Sequence, residues 1–564
     1  MTKEIISSHI FVFPFRWDVV KDKDCLDACI DKRLNVEKFI ECLKQEGSWK
    51  EDKAVLKIVE NEEVQNDKDY NEYTYFYDNV RKAIYGKQNY IKKDNNVSFH
   101  IKNSKYYLGR LFNEKVFNRI VRCFDRNDVN ENSIYEINVE KKDDEGKVSF
   151  SKIYKLKIES IKLKVYDTGV ATLSYFLENK EYRDKEDILK INDYGRRIYP
   201  QYIPLDSVKN RFLAKKLSVQ LQNNTIEEDF NYRLKEKPNM ISNTIMDILG
   251  EKFISVEKEL ECQYRWLSKK ESIVIKPIID DRMFVICYYN DNTCSRILTN
   301  FNKDEHLKSD FWYQFLFVDN DGPTCKDEKM REELLLKSTY TRWKNYGSLF
   351  GISRYSFVLL CDELWFSKNV LYNHMNTIYY EMVLLVLVQR ASVLRFSDET
   401  SKISASFESK NIYEQIKKLQ QYYIRFVNTI YFREVTAQEE GIELYDKLME
   451  LMRIEREVKR LDEEIDEIQR YITLETNEKT NKLLNVITFA GICVSVLTFV
   501  STIFSSKQIE DGRWLIAWQY VPLVAVILSI IGFRKLIKHK GLIKIIIIVM
   551  VLIAIIIFIY SMLL

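Results

Sequence analysis

The 564-residue sequence predicts an α+β cytosolic head (residues 1–345), a long helical stalk (346–482) and a C-terminal α-helical transmembrane bundle (483–564). Three observations carry this. Strand-like and helix-like stretches alternate through the first 340 residues. Glycine and proline then vanish from Ile352 to Glu440 and again from Ile442 to Ala490. Three long apolar runs follow, at 483–504, 515–533 and 545–564.

The length exceeds what one hydrophobic core organises, so two or more structural units are expected. Lys+Arg 86 against Asp+Glu 83 leaves a net charge of +3, which argues against a general nucleic-acid binder. No direct nucleic-acid partner is expected. The ten cysteines are scattered, and Cys25 and Cys29 have neither a second pair nor a nearby histidine to complete a zinc site. Reduced, buried cysteines in the cytosol are expected. Met1–Ser8 is polar and the apolar stretch Ile10–Phe15 is short, so no signal peptide is expected.

In the head, Val148–Ile158, Ile161–Tyr166 and Val170–Phe176 are rich in β-branched and aromatic residues, with Asp167-Thr168-Gly169 as the turn before the last. Ile273–Ile279 and Met283–Tyr289 predict another pair, interrupted by Asp280-Asp281-Arg282. Lys32–Gly47 and Asp206–Asn223 have helical periodicity. The expected product is a mostly antiparallel or mixed sheet with helices.

In the stalk region, Tyr379–Phe396 carries a seven-residue apolar core, Met382–Val388, too short to span a bilayer and read as a buried helix. Two further helices are expected around Ser406–Thr429 and from Ala437 onward. Leu451, Ile454, Val458, Leu461, Ile465, Ile468 and Ile472 recur at steps of three and four, a heptad seam flanked by Arg453, Arg456, Lys459 and Glu463. One long helix is expected to continue into the first apolar run, its seam covered by self-association or by the preceding helices.

The three apolar runs contain 22, 19 and 20 residues. At roughly 1.5 Å per residue each crosses a hydrocarbon core of about 30 Å. Arg534, Lys535, Lys538, Lys540 and Lys544 lie between the second and third, which places that loop and the head in the cytoplasm by the positive-inside rule. The expected protein is multi-pass. A third run lying along the membrane would reduce the spans to two.

The stretch TNEKTNKLLNVIT (476–488) resembles the helix entering the pore of CorA magnesium channels, through Asn477, Thr480, Asn481, Leu483, Leu484, Ile487 and Thr488. The Gly-Met-Asn signature of that family is missing from the following FVSTIFSSKQ, so its magnesium-selective mouth does not carry over, and a third span is foreign to it. In the head, HIFVFPFRWD (9–18), TGVATLSYFL (168–177), INDYGRRIYP (191–200), DDRMF (280–284) and LVQRASVLRF (387–396) together resemble the CorA-like membrane effectors associated with type III CRISPR systems. That resemblance implies an antiviral protein of the bacterial inner (plasma) membrane whose head binds a nucleotide second messenger, a conjugate of S-adenosylmethionine with AMP. It implies a homo-oligomer, five subunits by likeness to CorA, with three or four open. It implies no resident cofactor and leaves magnesium undecided.

The residues at INDYGRRIYP and DDRMF suit such a ligand. Guanidinium forks match phosphate oxygens bidentately, which nominates Arg196, Arg197 and Arg282. Asp280 and Asp281 could accept from an adenine amine, a ribose hydroxyl or a sulfonium-bearing amino acid, or could pair with Arg196 or Arg197 as structural salt bridges. Gly195 would ease the turn. Asn192 and Tyr194 complete the candidate set; Tyr194, Tyr199 and Trp17 could stack on a base or simply fill the core. In the first span Asn485, Thr488, Ser495, Thr498 and Ser501 are the candidate pore lining, or helix-packing residues.

Catalysis is not expected. The five histidines (His9, His100, His306, His374, His539) lack metal-binding spacing, and there is neither a Walker-type loop nor a Gly-x-Ser-x-Gly elbow. The rival reading is a constitutive CorA-like divalent cation transporter. The favoured one is a messenger-gated channel or membrane-perturbing protein in which ligand binding biases the stalk helices and, through them, the spans.

Overall fold

Among the described residues, fourteen strands form one mixed sheet around two unusually long strands. The computed structural model describes residues 4–20, 30–52, 59–60, 63–64, 67–85, 120–142, 147–198, 213–222, 224–230, 241–255, 272–280, 282–300, 303–405 and 412–506. The apolar runs 515–533 and 545–564, Cys25, Cys29, Tyr199 and Asp281 lie outside these residues. The chain divides into two compact units, Met1–Asp466 and Glu467–Leu564.

The first strand, β1 (Ser7–Val20), is followed by helix α1 (Val36–Gln45) and short strand β2 (Trp49–Glu51). An antiparallel series comes next: β3 (Val121–Arg126), β4 (Ile134–Lys142), β5 (Val148–Tyr166) and β6 (Val170–Asn179). The two stretches read as separate strands before Tyr166 are the single 19-residue β5, with a register shift between Ile158 and Ser160. Beyond α2 (Lys185–Gly195) lie β7 (Lys216–Gln220), β8 (Thr225–Asp229), α3 (Asn243–Leu249), β9 (Phe253–Ser255), β10 (Ser272–Pro277) and β11 (Phe284–Asn290). The sheet closes with β12 (Thr339–Tyr340), β13 (Leu349–Ile352) and β14 (Ser356–Cys361), after helix α4 (Asp310–Phe317).

The main path runs β8-β7-β4-β5-β6-β1-β11-β14-β13-β12. β1 and β5 each serve two neighbours on one edge. β1 pairs with β11 along Ser7–Val12 and with β10 along Phe15–Val20. Thus β10 and β11 do not pair with each other as the sequence led us to expect; they take consecutive halves of one long edge. The pairing is antiparallel except for β11 with β14 and β9 with β10, which makes the sheet mixed.

The expected helix Asp206–Asn223 is corrected where it is described: Lys216–Gln220 is a strand. Leu217 and Val219 point to one buried face at the period-two spacing of a strand, with β4 and β8 supplying the ladders.

β6 is buried along its whole length, because β5 and β1 flank it and a helix, α5 (Ile378–Ala405), packs across β1 and β6. Met382–Val388 of α5 are all buried, as their unbroken apolarity predicts. The helical stretch Ser367–Ala405 is the one described segment long and apolar enough to cross a membrane, and 78% of its apolar window is buried inside the protein. That burial marks a core helix.

α6 (Ile412–Thr429) and α7 (Glu439–Leu451) follow, and α8 runs over Ile454–Ser506. The expected unbroken helix is interrupted: Arg453 adopts φ +57°, so α7 and α8 are separate although neither glycine nor proline divides them. Ile454, Val458, Leu461 and Ile465 of the heptad are buried within the single chain, and Tyr423 of α6 donates its hydroxyl to the Val458 carbonyl at 3.4 Å. In the first unit the seam therefore packs on preceding helices.

Arg395, fully buried on α5, fixes that helix to the sheet. Its Nη1 donates to the carbonyls of Trp17 and Gly169, both at 2.9 Å, and its Nη2 to Asp18 Oδ1 at 2.7 Å. Arg16 and Arg33 extend the network to Asp18, Asp398 and Glu399. Although burial alone would raise the Asp18 carboxyl, Arg395, Arg16 and Arg33 hold it well below the usual carboxylate range. Gly169 has φ +80°, and a Cβ there would meet Leu34 and come within 2.6 Å of Arg395 Cζ, so the turn must be glycine.

Removing Arg395 leaves two buried carbonyls without their donor and takes from Asp18 one of its three arginines. Arg395→Ala should cost about 3–5 kcal/mol. Lys402→Ala, which breaks half-exposed pairs on the same helix, should cost under about 1 kcal/mol. Thermal midpoints of the two variants check this; equal losses would contradict it.

Candidate functional site

α2 begins at Asp184, whose side chain accepts from the Glu186 amide at 3.1 Å, and ends at Gly195. Gly195 is needed for close packing. A Cβ would lie 2.7 Å from the Phe11 ring and 2.9 Å from Ile137, and its φ lies outside the left-handed region. The expectation that it eases a turn is corrected accordingly. Packed this tightly, α2 delivers Arg196 and Arg197 to a fixed place.

That place is beside DDRMF. Arg197 and Arg282 form an isolated antiparallel bridge, and the Met283 amide donates to the Arg196 carbonyl at 2.8 Å. Two motifs distant in sequence thus share backbone hydrogen bonds. Arg196 is 2% exposed. Its Nη2 donates to Asp193 Oδ1 at 3.2 Å and to the Val318 carbonyl at 2.9 Å. Its Nε and Nη1 are buried without a hydrogen-bond partner. Arg197 Nη2 reaches the same Asp193 oxygen at 3.1 Å, while Asn320 Nδ2 donates to the other. Arg282 pairs with Asp280 Oδ2 through Nε at 3.0 Å and Nη2 at 2.8 Å, and its guanidinium lies 4.9 Å from the Tyr355 ring centroid.

The carboxylate serving Arg196 and Arg197 is therefore Asp193, and Asp280 serves Arg282. Asp193 stands three and four residues before the two arginines, one helical turn, and that spacing was the signal for it in the sequence. Burial would raise its carboxyl, but Arg197 and Arg196 more than compensate and hold it below the ordinary value. Burial lowers the Arg196 guanidinium to about 10, with Arg197 and Arg282 adding to the effect against Asp193, so it stays cationic at neutral pH. Val318 caps α4 at φ +55°, an uncommon conformation for a β-branched residue, and in it offers its carbonyl to Arg196. Val318, Asn320 and Tyr355 had no sequence signal beyond the turn-like VDNDG.

The other nominated residues lie differently. Tyr194 is buried, with Lys141 Nζ 5.7 Å from its ring centroid, and offers no open face for stacking. Trp17 is fully buried, donating its indole N–H to the Val170 carbonyl at 3.3 Å. Asn192 faces the sheet: His9 Nδ1 donates to its Oδ1 at 2.7 Å, and Ser7 Oγ lies 2.9 Å from His9 Nε2. Asn192 and Tyr194 stand on opposite flanks of the turn that carries Asp193 and Arg197: Asn192 is turned to His9 of the sheet, and Tyr194 to Asn320 beside Asp193. Burial lowers His9 to about 4, partly offset by the Asn192 bond, so the ring is neutral at pH 7. Asn485, Thr488 and Ser495 are described on α8; Thr488 and Ser495 return their hydroxyls to the Leu484 and Gly491 carbonyls, each at 2.8 Å. Thr498 and Ser501 sit on the same helix, their side chains outside the described residues. Among the described residues, no group of three or more His, Cys, Asp or Glu side chains is placed to hold a metal ion.

Two outcomes follow. Asp193→Ala leaves two guanidiniums without their shared carboxylate and should cost about 3–5 kcal/mol, read as a lowered thermal midpoint. His9 contributes stability that is complete above its unfolded value near 6.5 and is lost as pH falls toward 4, because only the unfolded chain takes up the proton. By pH 5 the loss should be about 2 kcal/mol. Thermal midpoints of wild type and His9→Gln at pH 7 and pH 5 test this; identical pH slopes would refute it.

In the comparisons with known proteins, no family model and no curated protein matches the chain.

Proposed function

We propose that the chain is a membrane effector of antiviral defence in bacteria, a channel or membrane-perturbing protein gated by an anionic nucleotide messenger. The messenger, of the S-adenosylmethionine–AMP type, binds in the cytosolic head at Arg196, Arg197 and Arg282. The observation that carries this reading is Arg196, a buried guanidinium whose Nε and Nη1 lack partners beside two further arginines. A structural ion cluster satisfies most of its buried donors: Arg395 leaves only Nε unmet, whereas Arg196 leaves both Nε and Nη1. Donors held in reserve suit phosphate or carboxylate oxygens arriving with a ligand. Asp280, paired with Arg282, supplies an acceptor for the ligand's amino group and a counter-charge for its sulfonium.

The readout in this proposal is α8, which acts as a stalk leading into the first of three spans. Leu474, Leu483, Leu484, Ile487 and Phe489 are exposed in the single chain, a surface suited to neighbouring copies or lipid in an oligomer of three to five. Gating requires the messenger to bind one arrangement better than the other by a few kcal/mol.

The test is calorimetric titration of the full chain in detergent with the S-adenosylmethionine–AMP conjugate and with cyclic oligoadenylates. Wild type should bind the conjugate tightly. Arg196→Ala/Arg197→Ala should abolish binding. Arg282→Ala, at a part-exposed position, should weaken it at least about tenfold, one charge-assisted bond's worth, with folding intact. Well-folded wild type that binds no nucleotide sinks the proposal.

A further inference from the structure

The arginine cluster does not stop at Arg282. Tyr355, beneath that guanidinium, lies in the turn between β13 and β14, and its carbonyl accepts from the Val285 amide at 3.0 Å. The hydroxyls of Ser353 and Ser356 in the same turn both donate to the Leu316 carbonyl of α4, two residues before the Val318 carbonyl that holds Arg196. The turn is thus rigidly attached to both halves of the site. Its remaining residue, Arg354, reaches the other way: Nε donates to the Leu451 carbonyl at 3.2 Å, the last residue of α7.

Just beyond Leu451 the chain breaks at Arg453. The Met452 and Arg453 amides bond back to Leu448 and Glu450, each at 3.0 Å, and the Arg453 carbonyl starts α8 by accepting from Glu457 at 3.1 Å. Within electrostatic reach of Glu457, just past this junction, is Arg390 of α5. Its Nη1 is buried without a hydrogen-bond partner. The charged and phenolic groups around it are Arg354, Tyr355, Asp280 and Glu457, and burial followed by Arg354 lowers its pKa. Arg390 is therefore within electrostatic reach of a carboxylate of the candidate site and of one in the first turn of α8, with a donor uncommitted.

We infer that Arg390 and Arg354 form the far side of the anion site, and that a bound ligand competes with Glu457 and the Leu451 carbonyl for them, so that occupancy is read at the Met452–Arg453 break. The inference rests on the reading that the Arg196–Arg282 cluster binds an anionic nucleotide. Its chemical content is a second anionic group on the ligand, beyond the one taken by Arg196 and Arg282. A non-glycine residue held left-handed is strained, so redirecting two arginines is enough to bias this junction.

The experiment uses the full chain in detergent with the S-adenosylmethionine–AMP conjugate as probe, and has two readouts: affinity by calorimetry, and backbone hydrogen exchange across residues 446–458 with and without probe. Arg390→Ala should weaken binding by about tenfold to hundredfold, the worth of a charge-assisted hydrogen bond. Arg390→Gln keeps most of the stem and serves if the alanine variant does not fold. Arg354→Ala should abolish the probe-induced change in exchange at Met452–Glu457. Unchanged affinity in both Arg390 variants, or exchange at the break indifferent to the probe in wild type, overturns the inference. In either case, loss of binding in Arg282→Ala would leave the site itself standing. Wild type that fails to bind the probe overturns both.

Discussion

The guanidinium of Arg395 is the constraint from which the rest of the first unit is arranged. Burial lowers it only to about 10, so at neutral pH it remains charged with no access to water, and its donors other than Nε are met by protein. Trp17, Gly169 and Asp18 meet three of them. Those partners come from β1 and from the turn joining β5 to β6, the three strands at the centre of the sheet. Satisfying one side chain thus sets the separation and rotation of α5 over that centre. Arg390, on the same helix, is placed by the same clasp. The far side of the proposed anion site inherits its position from an ion network centred on Arg395.

Five sequence motifs become two charged clusters by this route. HIFVFPFRWD, TGVATLSYFL and LVQRASVLRF meet around Arg395, while INDYGRRIYP and DDRMF meet at the Arg197–Arg282 bridge. The two differ in how fully their donors are met. Around Arg395 three arginines face Asp18, Asp398 and Glu399, and most nitrogens are bonded. Around Arg196 the ratio is poorer, and two buried nitrogens wait. Buried cations cost several kcal/mol to desolvate, so a fold that leaves donors unmet gains by their being met when something binds.

The features legible in the sequence are those governed by local chemistry. The turn at Gly169, the buried α5 and the central strands follow from glycine's freedom and from apolar runs. The arginine pair and Arg282 were legible as motifs and the chain brings them together, but Asp193, the carboxylate that serves the pair, was not among the partners left open. Asp193 was one helical turn away, yet helix phase also turns Asn192 inward to His9, and phase cannot be assigned without knowing which face the sheet covers. Gly195 was misread for a related reason. A packing glycine and a turning glycine look alike until Phe11 is seen against it. Lys216–Gln220 reads as either period over so short a span, and neighbouring strands decide it.

The break at Met452–Arg453 was not legible, because no residue there demands it. Arg453 is an unfavourable choice for a left-handed position, and the heptad continues through it without interruption. What sustains the break is tertiary. Ile454, Val458, Leu461 and Ile465 must face the preceding helices, while α7 must lay Leu444 and Leu448 on the core, and one straight helix cannot satisfy both phases. The strain is small beside either set of burials, so packing holds it in place. A junction held between two competing packings, rather than by its own sequence, is the kind of element that a few kcal/mol of ligand binding can move. It lies where Arg354 bonds the Leu451 carbonyl, the point at which the proposed anion site would reach the start of α8.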